Sequence, residues 1–131
     1  MSITARRLIA ILAALIVAAI IVFGIEAISA SVHPTDPETF KRALEAGQIP
    51  LVKLGLIVLG WLLAAYAGGL VAIRWSEWPP AVWSFTALFT IFVWHNLSTF
   101  SHPNWMWYGG LIGAPLFALG GGRQSLAMPK P

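Results

Sequence analysis

The chain has 131 residues, the length of a single domain, of which 58% are hydrophobic and only 10% are charged. A soluble domain has roughly 25% charged residues, so this composition leaves too little polar surface for a soluble fold and indicates a polytopic membrane protein. The net charge of +3 is too small to indicate nucleic acid as a partner, and the absence of cysteine excludes disulfides, thiolate catalysis and cysteine metal sites.

The first predicted span covers residues 8–32 and contains one charge, Glu26. About 20 apolar residues cross a bilayer as a helix, and a carboxylate at the centre of such a helix costs roughly 2.5–3.5 kcal/mol. Steps of four residues from Glu26 reach Ala10, Ala14, Ala18, Val22 and Ala30. Because residues four apart share a helix face, this spacing predicts that Glu26 lies on the packing face and is turned away from lipid.

A polar connection, residues 33–50, follows the first span and is expected on the outer side of the membrane. Thr35 and Glu38 have the spacing of a capping box at the start of a helix. The pattern predicts a short surface helix over about residues 37–46, closed by Gly47. We interpret this helix as a connector, and a lid over the bundle is the alternative.

Three further spans are predicted after this loop, at residues 51–73, 81–97 and 105–120. The second span carries small residues at four-residue spacing, which favours close packing against the first span; these are Gly60, Ala64, Gly68 and Ala72.

Pro115 is expected to kink the fourth span. Aromatic residues cluster at the two boundaries as in interfacial belts, with Trp75, Trp78 and Trp83 at one and Trp105, Trp107 and Tyr108 at the other. The sequence therefore predicts one all-α transmembrane domain over residues 1–131, a four-helix bundle.

The distribution of basic residues predicts the orientation of this bundle. Five lie on one side of the predicted membrane, Arg6, Arg7, Arg74, Arg123 and Lys130, and three lie on the other, Lys41, Arg42 and Lys53. Because cytoplasmic segments carry the excess of lysine and arginine, we expect both termini in the cytoplasm.

The first and third spans both end in a His-Pro pair, at residues 33–34 and 102–103. An offset of 69 residues aligns Glu26 with His95, Ser29 with Ser98 and His33 with His102. Both halves would then enter the membrane from the same side, as in a parallel repeat. Such a repeat predicts that Glu26 and His95 lie at equal depth.

Polar side chains gather towards the outer ends of the predicted spans. The predicted site comprises Glu26, Ser29, Lys53, His95 and Asn96, with His33 and His102 nearer the surface. Pairing with a cation is the least costly way to keep Glu26 ionised, and its candidate partners are His95 and Lys53. Ser29 can hydrogen-bond either form of the carboxyl group.

Three functions fit this cluster, and none of them is enzymatic. In the preferred one, a buried polar network fixes helix register, and the protein is an accessory or assembly subunit that contacts lipid, a protein partner or another copy of itself. In the second, Glu26 and His95 change charge as access alternates, as in a proton- or cation-coupled transporter. In the third, His33, His95 and His102 ligate haem or a metal, although no HxxxH or HxxE spacing supports it and no cofactor is expected. Catalysis lacks support because there is no nucleophile elbow, phosphate loop or carboxylate pair.

The chain resembles a family of small bacterial inner-membrane proteins that have four spans and no assigned activity. The resemblance rests on Glu26, His33-Pro34, Asp36-Pro37, Gly60-Trp61 and the closing His102-Pro103-Asn104-Trp105. It implies a topology and no chemistry. The small multidrug transporters also have four short spans and a glutamate in the first, but their carboxylate is mid-helix and their loops are shorter, so that likeness adds little to the transport hypothesis.

Overall fold

The computed structural model describes residues 1–34 and 36–129, and this part of the chain is helical with short connections and no strand. The helices are α1 (Ile3–Val32), α2 (Pro37–Glu45), α3 (Leu51–Ser76), α4 (Ala81–Thr99), α5 (Asn104–Tyr108) and α6 (Ala114–Ala127). A π-helical turn, Gly109–Gly113, joins α5 to α6. The all-α prediction is confirmed, while the roles predicted for Thr35 and Lys130 lie outside the described residues.

The central helix of the bundle is α3, because α1 and α6 pack along it and α4 also contacts it. Contacts at both ends show that α1 and α3 are antiparallel: Arg6 bonds to Trp75 at one end and Lys53 bonds to His33 at the other. By connectivity α4 runs in the direction of α1, and the two helices touch. This direction is the one that the predicted repeat requires, and the repeat itself stays a prediction.

The buried face of α1 follows the predicted stripe for three turns and then leaves it. Ala10, Ala14, Ala18 and Val22 are buried, and the next buried residue is Ser29. Glu26 and Ala30, which steps of four also reach, are exposed. A helix has 3.6 residues per turn, so each step of four rotates the face by about 40°. The prediction that Glu26 lies on the packing face is therefore wrong, and this residue lies at the edge of that face.

The small residues of α3 are all buried, as expected for a packing stripe: Gly60, Ala64, Gly68 and Ala72. They face two different neighbours. A Cβ atom at Gly60 would lie 3.3 Å from Ile25 on α1, whereas one at Gly68 would overlap the ring of Phe85 on α4. The predicted packing of α3 against α1 is confirmed, and the same stripe also admits a phenyl ring from α4.

A second close approach joins α3 to α6, and the sequence analysis missed it. The Ala118 carbonyl of α6 occupies the space that a Cβ atom at Gly69 would need, and the Tyr66 carbonyl of α3 does the same at Gly121. Glycine at both positions lets the two backbones touch, as small residues do between membrane helices. Two sequence features indicated this contact between α3 and α6: the Gly68-Gly69 pair and the glycine run at 120–122.

The predicted fourth span is longer than expected, because α5, the π turn and α6 are continuous from residue 104 to 127. Pro115 cannot donate to the carbonyl four residues earlier, and its ring clashes with that carbonyl. The helix widens into a single π turn at Gly109–Gly113, directly before Pro115. The kink predicted at Pro115 stays a prediction.

The short helix α2 (Pro37–Glu45) has nearly the predicted bounds but a different cap. The Asp36 carboxylate accepts a hydrogen bond from the Thr39 backbone N–H at 3.0 Å and another from the Thr39 hydroxyl. Asp36 is therefore the N-cap of α2, because its carboxylate reaches the first-turn donors. Gly47, with φ of 68°, closes the helix as predicted.

Two of the described helices are long and apolar enough to cross a membrane, α1 (Ile3–Val32) and α3 (Leu51–Ser76). These two helices are also packed against each other. Their length and composition support association with a membrane.

Alanine at Gly121 is expected to destabilise the protein, because the new Cβ atom would overlap the Tyr66 carbonyl and force α6 away from α3. We expect a loss of about 1–3 kcal/mol in the free energy of unfolding, as is usual for overpacking. Gly120→Ala is the matched control, since a Cβ atom there meets no described atom within 4 Å. Thermal unfolding in detergent, followed by circular dichroism, compares the two variants, and equal midpoints would contradict the close contact between α3 and α6.

The cap of α2 is expected to weaken in acid. Hydrogen bonds from the Thr39 side chain and backbone lower the pKa of Asp36 below its ordinary value. The stabilisation is therefore present above the ordinary carboxyl pKa and is lost as the pH falls through the lowered pKa. Exchange of the Thr39 amide, measured by NMR, should lose protection over that range in the native chain but not in Asp36→Asn, whose capping oxygen carries no charge. Unchanged exchange in the native chain would contradict the cap.

Candidate binding groove at the histidine end

The two His-Pro pairs lie at the same end of the bundle, which we call the histidine end (His33 and His102). A groove of about 350 Å³ opens there. Its lining comes from α1, α2, α3, α4 and the connection after α4, and consists of Glu26, Ser29, Ala30, Pro37, Phe40, Lys53, Ile57, Asn96, Phe100 and His102. We call it the histidine-end groove. Four of the five predicted site residues, Glu26, Ser29, Lys53 and Asn96, are brought together around it.

Lys53, in the first turn of α3, is only 7% exposed. Its ammonium donates a hydrogen bond to the His33 backbone carbonyl at 2.9 Å and lies 5.1 Å from the centroid of the Phe40 ring. A buried charge needs such partners to offset the loss of water. Because His33 follows the end of α1 and Phe40 lies on α2, this one side chain links three helices at the mouth of the groove.

Ser29 and Asn96 supply uncharged polar atoms to the groove from α1 and α4. Ser29 is only 3% exposed, and its hydroxyl has no hydrogen-bond partner within residues 1–34 and 36–129. A buried hydroxyl left unsatisfied costs about 1–3 kcal/mol. Asn96 is half-buried. Both groups can therefore accept a hydrogen bond from a ligand, and Ser29 gains most from doing so.

Glu26 lines the groove from the edge of the α1 packing face. It precedes the end of α1 at Val32 by six residues, which is about 9 Å along a helix axis. The Lys53 ammonium, by contrast, donates a hydrogen bond to the carbonyl of His33, the residue that follows Val32. The two opposite charges of the groove therefore differ in depth, with the ammonium at the mouth and the carboxylate further in.

The three histidines do not form one site. His95 is exposed on α4 and lies outside the lining of the groove, although its neighbour Asn96 lines it. His102 is in the lining, and its Nδ1 lies 2.9 Å from the Phe100 carbonyl. His95, one of the two candidate partners of Glu26, therefore lies outside the groove that Glu26 shares with Asn96.

A metal centre would need several ligands close together. In the described ranges no three histidine, aspartate or glutamate side chains are grouped so that they could hold a metal ion. His33 contributes a backbone carbonyl to Lys53. The side chains that line the groove thus offer one carboxylate, one ammonium, one imidazole, a hydroxyl and a carboxamide.

The opposite end of the bundle, the arginine end (Arg6 and Arg7), is closed by contacts to the connection between α3 and α4. Arg6 forms an ion pair with Glu77 at 2.6 Å, and its Nε donates to the Trp75 carbonyl at 3.0 Å. The Arg7 guanidinium lies 4.4 Å from the centroid of the Trp78 ring. The ion pair is largely exposed, so it contributes no more than about 1 kcal/mol. Trp78 therefore packs against the Arg7 guanidinium. Its place in an interfacial aromatic belt stays a prediction.

A second cavity, of about 280 Å³, lies at the arginine end and is lined by Arg74, Glu77 and Ser125 among others. It lies where α3 and α6 end. The C-terminal carbonyls of two helices disfavour an anion there, while Arg74 disfavours a cation. The histidine-end groove has the more consistent set of groups for a ligand.

The sequence analysis placed neither Trp61 nor the groove-lining rings of Phe40 and Phe100 at the site. Trp61 is fully buried in α3, and its ring centroid lies 6.3 Å from that of His102. Its Nε1 has no hydrogen-bond partner within the part of the chain that the structure describes. Trp61 lies in the middle of the predicted second span, away from both predicted membrane boundaries. That position was the available indication that Trp61 belongs to the core.

Comparison with protein-family models, with curated proteins and with solved structures finds no match. The functional argument therefore rests on the geometry of the groove.

Lys53→Met is expected to destabilise the histidine end, because methionine retains much of the apolar stem but removes the bond to the His33 carbonyl. A hydrogen bond to a charged group contributes about 1.5–3 kcal/mol, and we expect a loss of this size in the free energy of unfolding. Lys41→Met, at an exposed position of α2, is the matched control. Unfolding in detergent is followed by tryptophan fluorescence, and two variants of native stability would show that the ammonium does not stabilise the bundle.

Proposed function

We propose that the chain crosses a bacterial inner membrane four times, with both termini in the cytoplasm. α4 has 19 residues, about 28 Å of helix, close to the roughly 30 Å of a hydrocarbon core. The continuous helix from α5 to α6 is longer. The arginine end would be cytoplasmic by the positive-inside rule, which leaves the histidine-end groove open to the outer side.

We propose that this protein is a non-enzymatic carrier that binds a small amine-bearing solute in the histidine-end groove. The observation that supports this is the lining of one groove by a carboxylate, Glu26, and by the buried hydroxyl of Ser29, which has no hydrogen-bond partner among the described residues. Charged and polar groups inside a membrane bundle are costly and usually mark a solute pathway. Glu26 would hold either a proton or the ammonium of the solute, so that the carboxylate exchanges one for the other.

Glu26→Gln is expected to abolish this exchange, because the amide cannot hold a proton and then a cation. The native protein in liposomes should take up radiolabelled ethanolamine when a pH gradient is imposed, above the passive leak of protein-free liposomes. Glu45→Gln is the matched control, since Glu45 is exposed on α2 and outside the groove. Equal uptake by native protein and Glu26→Gln would refute the carrier proposal.

An accessory or assembly subunit is the second candidate, and one observation favours it. His95 is exposed on α4 beside the exposed Phe92 and Trp94. A titratable side chain on the outside of a membrane helix is costly against lipid, so a second protein chain over this face would relieve the cost.

His95→Trp is expected to block such an association sterically, while Leu116→Trp changes an exposed position of α6 as the matched control. The mass of the protein in mild detergent, measured by light scattering coupled to chromatography, should exceed one chain for the native protein and the control. Only His95→Trp should give a single chain. A native protein that is already a single chain would count against the subunit proposal.

A further inference from the structure

We infer that the solute bound in the histidine-end groove is a primary amine with a short apolar tail, and that the groove discriminates against quaternary ammonium ions. This inference rests on the carrier proposal and adds the class of its solute. It is carried by the buried hydroxyl of Ser29, which lines the groove beside the Glu26 carboxylate.

Ser29 and Glu26 lie on the same side of α1. Residues three apart on a helix are neighbours, with about 5–6 Å between their Cβ atoms, and both of these residues line the groove. Ser29 is only 3% exposed, and its hydroxyl has no hydrogen-bond partner among the described residues. An anionic ligand at this hydroxyl would lie beside the Glu26 carboxylate, and like charges disfavour each other. The pair therefore favours a ligand that donates hydrogen bonds, namely a cation with N–H groups.

Asn96 adds a third acceptor from α4, because it lines the same groove and its carboxamide has a carbonyl oxygen. A primary ammonium has three N–H groups, so it can donate to a carboxylate, a hydroxyl and an amide oxygen together. A quaternary ammonium has none. It would leave the Ser29 hydroxyl unbonded, and its methyl groups would hold its charge away from Glu26.

A quaternary ion would have to be held by aromatic rings instead, through cation–π contacts. Three rings line the groove: Phe40, Phe100 and His102. The Lys53 ammonium already lies 5.1 Å from the centroid of the Phe40 ring. The rings of Phe100 and His102 contact each other edge to face, with their centroids 6.1 Å apart. These contacts take up ring surface that an aromatic cage for a quaternary ion would need.

The remaining walls of the groove suit an apolar tail. Ala30, Pro37, Ile57 and the ring of Phe100 line it without a charged group of their own. The groove volume of about 350 Å³ is at the lower end of the range for ligand pockets. A tail of a few methylene groups therefore fits, and each one that is buried adds to the affinity.

A phosphatidylethanolamine headgroup also carries a primary ammonium, but it carries it on the water side of its phosphate. Glu26 precedes the end of α1 by six residues, or about 9 Å along the helix axis. The headgroup would have to turn its ammonium inward past its own phosphate to reach this carboxylate. The depth of Glu26 therefore favours a solute from water.

The test titrates the native protein in phosphatidylcholine nanodiscs with four probes: butylammonium, butyltrimethylammonium, methylammonium and butanol. Binding is measured by calorimetry near neutral pH, with protein-free discs as the blank for partition into lipid. We expect butylammonium to bind at least about tenfold more tightly than each of the others. Butyltrimethylammonium lacks the N–H groups, methylammonium lacks the tail, and butanol lacks the charge.

Ser29→Ala is expected to weaken the binding of butylammonium by about tenfold and to leave that of butyltrimethylammonium unchanged. Its thermal midpoint without ligand should not fall, because the variant loses only a buried hydroxyl that has no partner in the described chain. Ser31→Ala is the matched control on the same helix. Ser31 is exposed, bonds to the Ile28 carbonyl and lies outside the lining of the groove, so this variant should bind butylammonium as the native protein does.

Each alternative outcome has a distinct meaning. If butyltrimethylammonium or methylammonium binds the native protein as tightly as butylammonium, the primary amine with an apolar tail is overturned while the carrier proposal stands. If no cation binds, or if butanol binds equally well, the carrier proposal falls too. If Ser29→Ala keeps the native preference, the role of Ser29 is overturned. If phosphatidylethanolamine added to the discs competes with butylammonium, the groove takes a lipid headgroup and the solute from water is overturned.

Discussion

The approach of α3 to its neighbours through glycine and alanine is the constraint on which the rest of the structure depends. Within the described bundle, α3 packs along both α1 and α6, because Gly60 has no side chain to hold off α1 and Gly69 has none to hold off α6. Such packing gains dispersion energy that lipid tails cannot replace. Because α3 and α6 lie this close, a side chain in place of Gly69 would overlap the backbone carbonyl of Ala118. A small movement of neighbouring side chains cannot relieve that overlap.

This central position of α3 also explains why the groove is found at the histidine end. Lys53 lies in the first turn of α3, so the packing of that helix brings its ammonium to the end of α1 and beneath α2. At the other end, Arg6 and Arg7 close the bundle against the connection that follows α3. Arginine side chains cover one end, which keeps a cavity of about 280 Å³, while polar groups from several helices line the groove of about 350 Å³ at the other.

The sequence was informative where the physical signal is periodic and local. The small residues of α3, the short helix α2 and the burial of Ala10, Ala14 and Ala18 follow from spacing, composition and turn chemistry. Glu26 was misplaced because steps of four residues drift around a helix of 3.6 residues per turn. Both His95 and Asn96 were predicted in the site, and only Asn96 lines the groove. Adjacent residues differ by about 100° on a helix, so the crossing of α4 with its neighbours decides which of the two enters the groove.

The contacts of Lys53 and Ser29 show how differently the polar groups at the histidine end are held. The Lys53 ammonium donates to the His33 backbone carbonyl and lies over the Phe40 ring, so it ties the start of α3 to α1 and α2. The buried Ser29 hydroxyl has no hydrogen-bond partner in the described chain, and such a group costs about 1–3 kcal/mol. A polar network that fixes helix register is most stable when every hydroxyl in it is bonded, so the unbonded Ser29 reduces the stability of the isolated bundle.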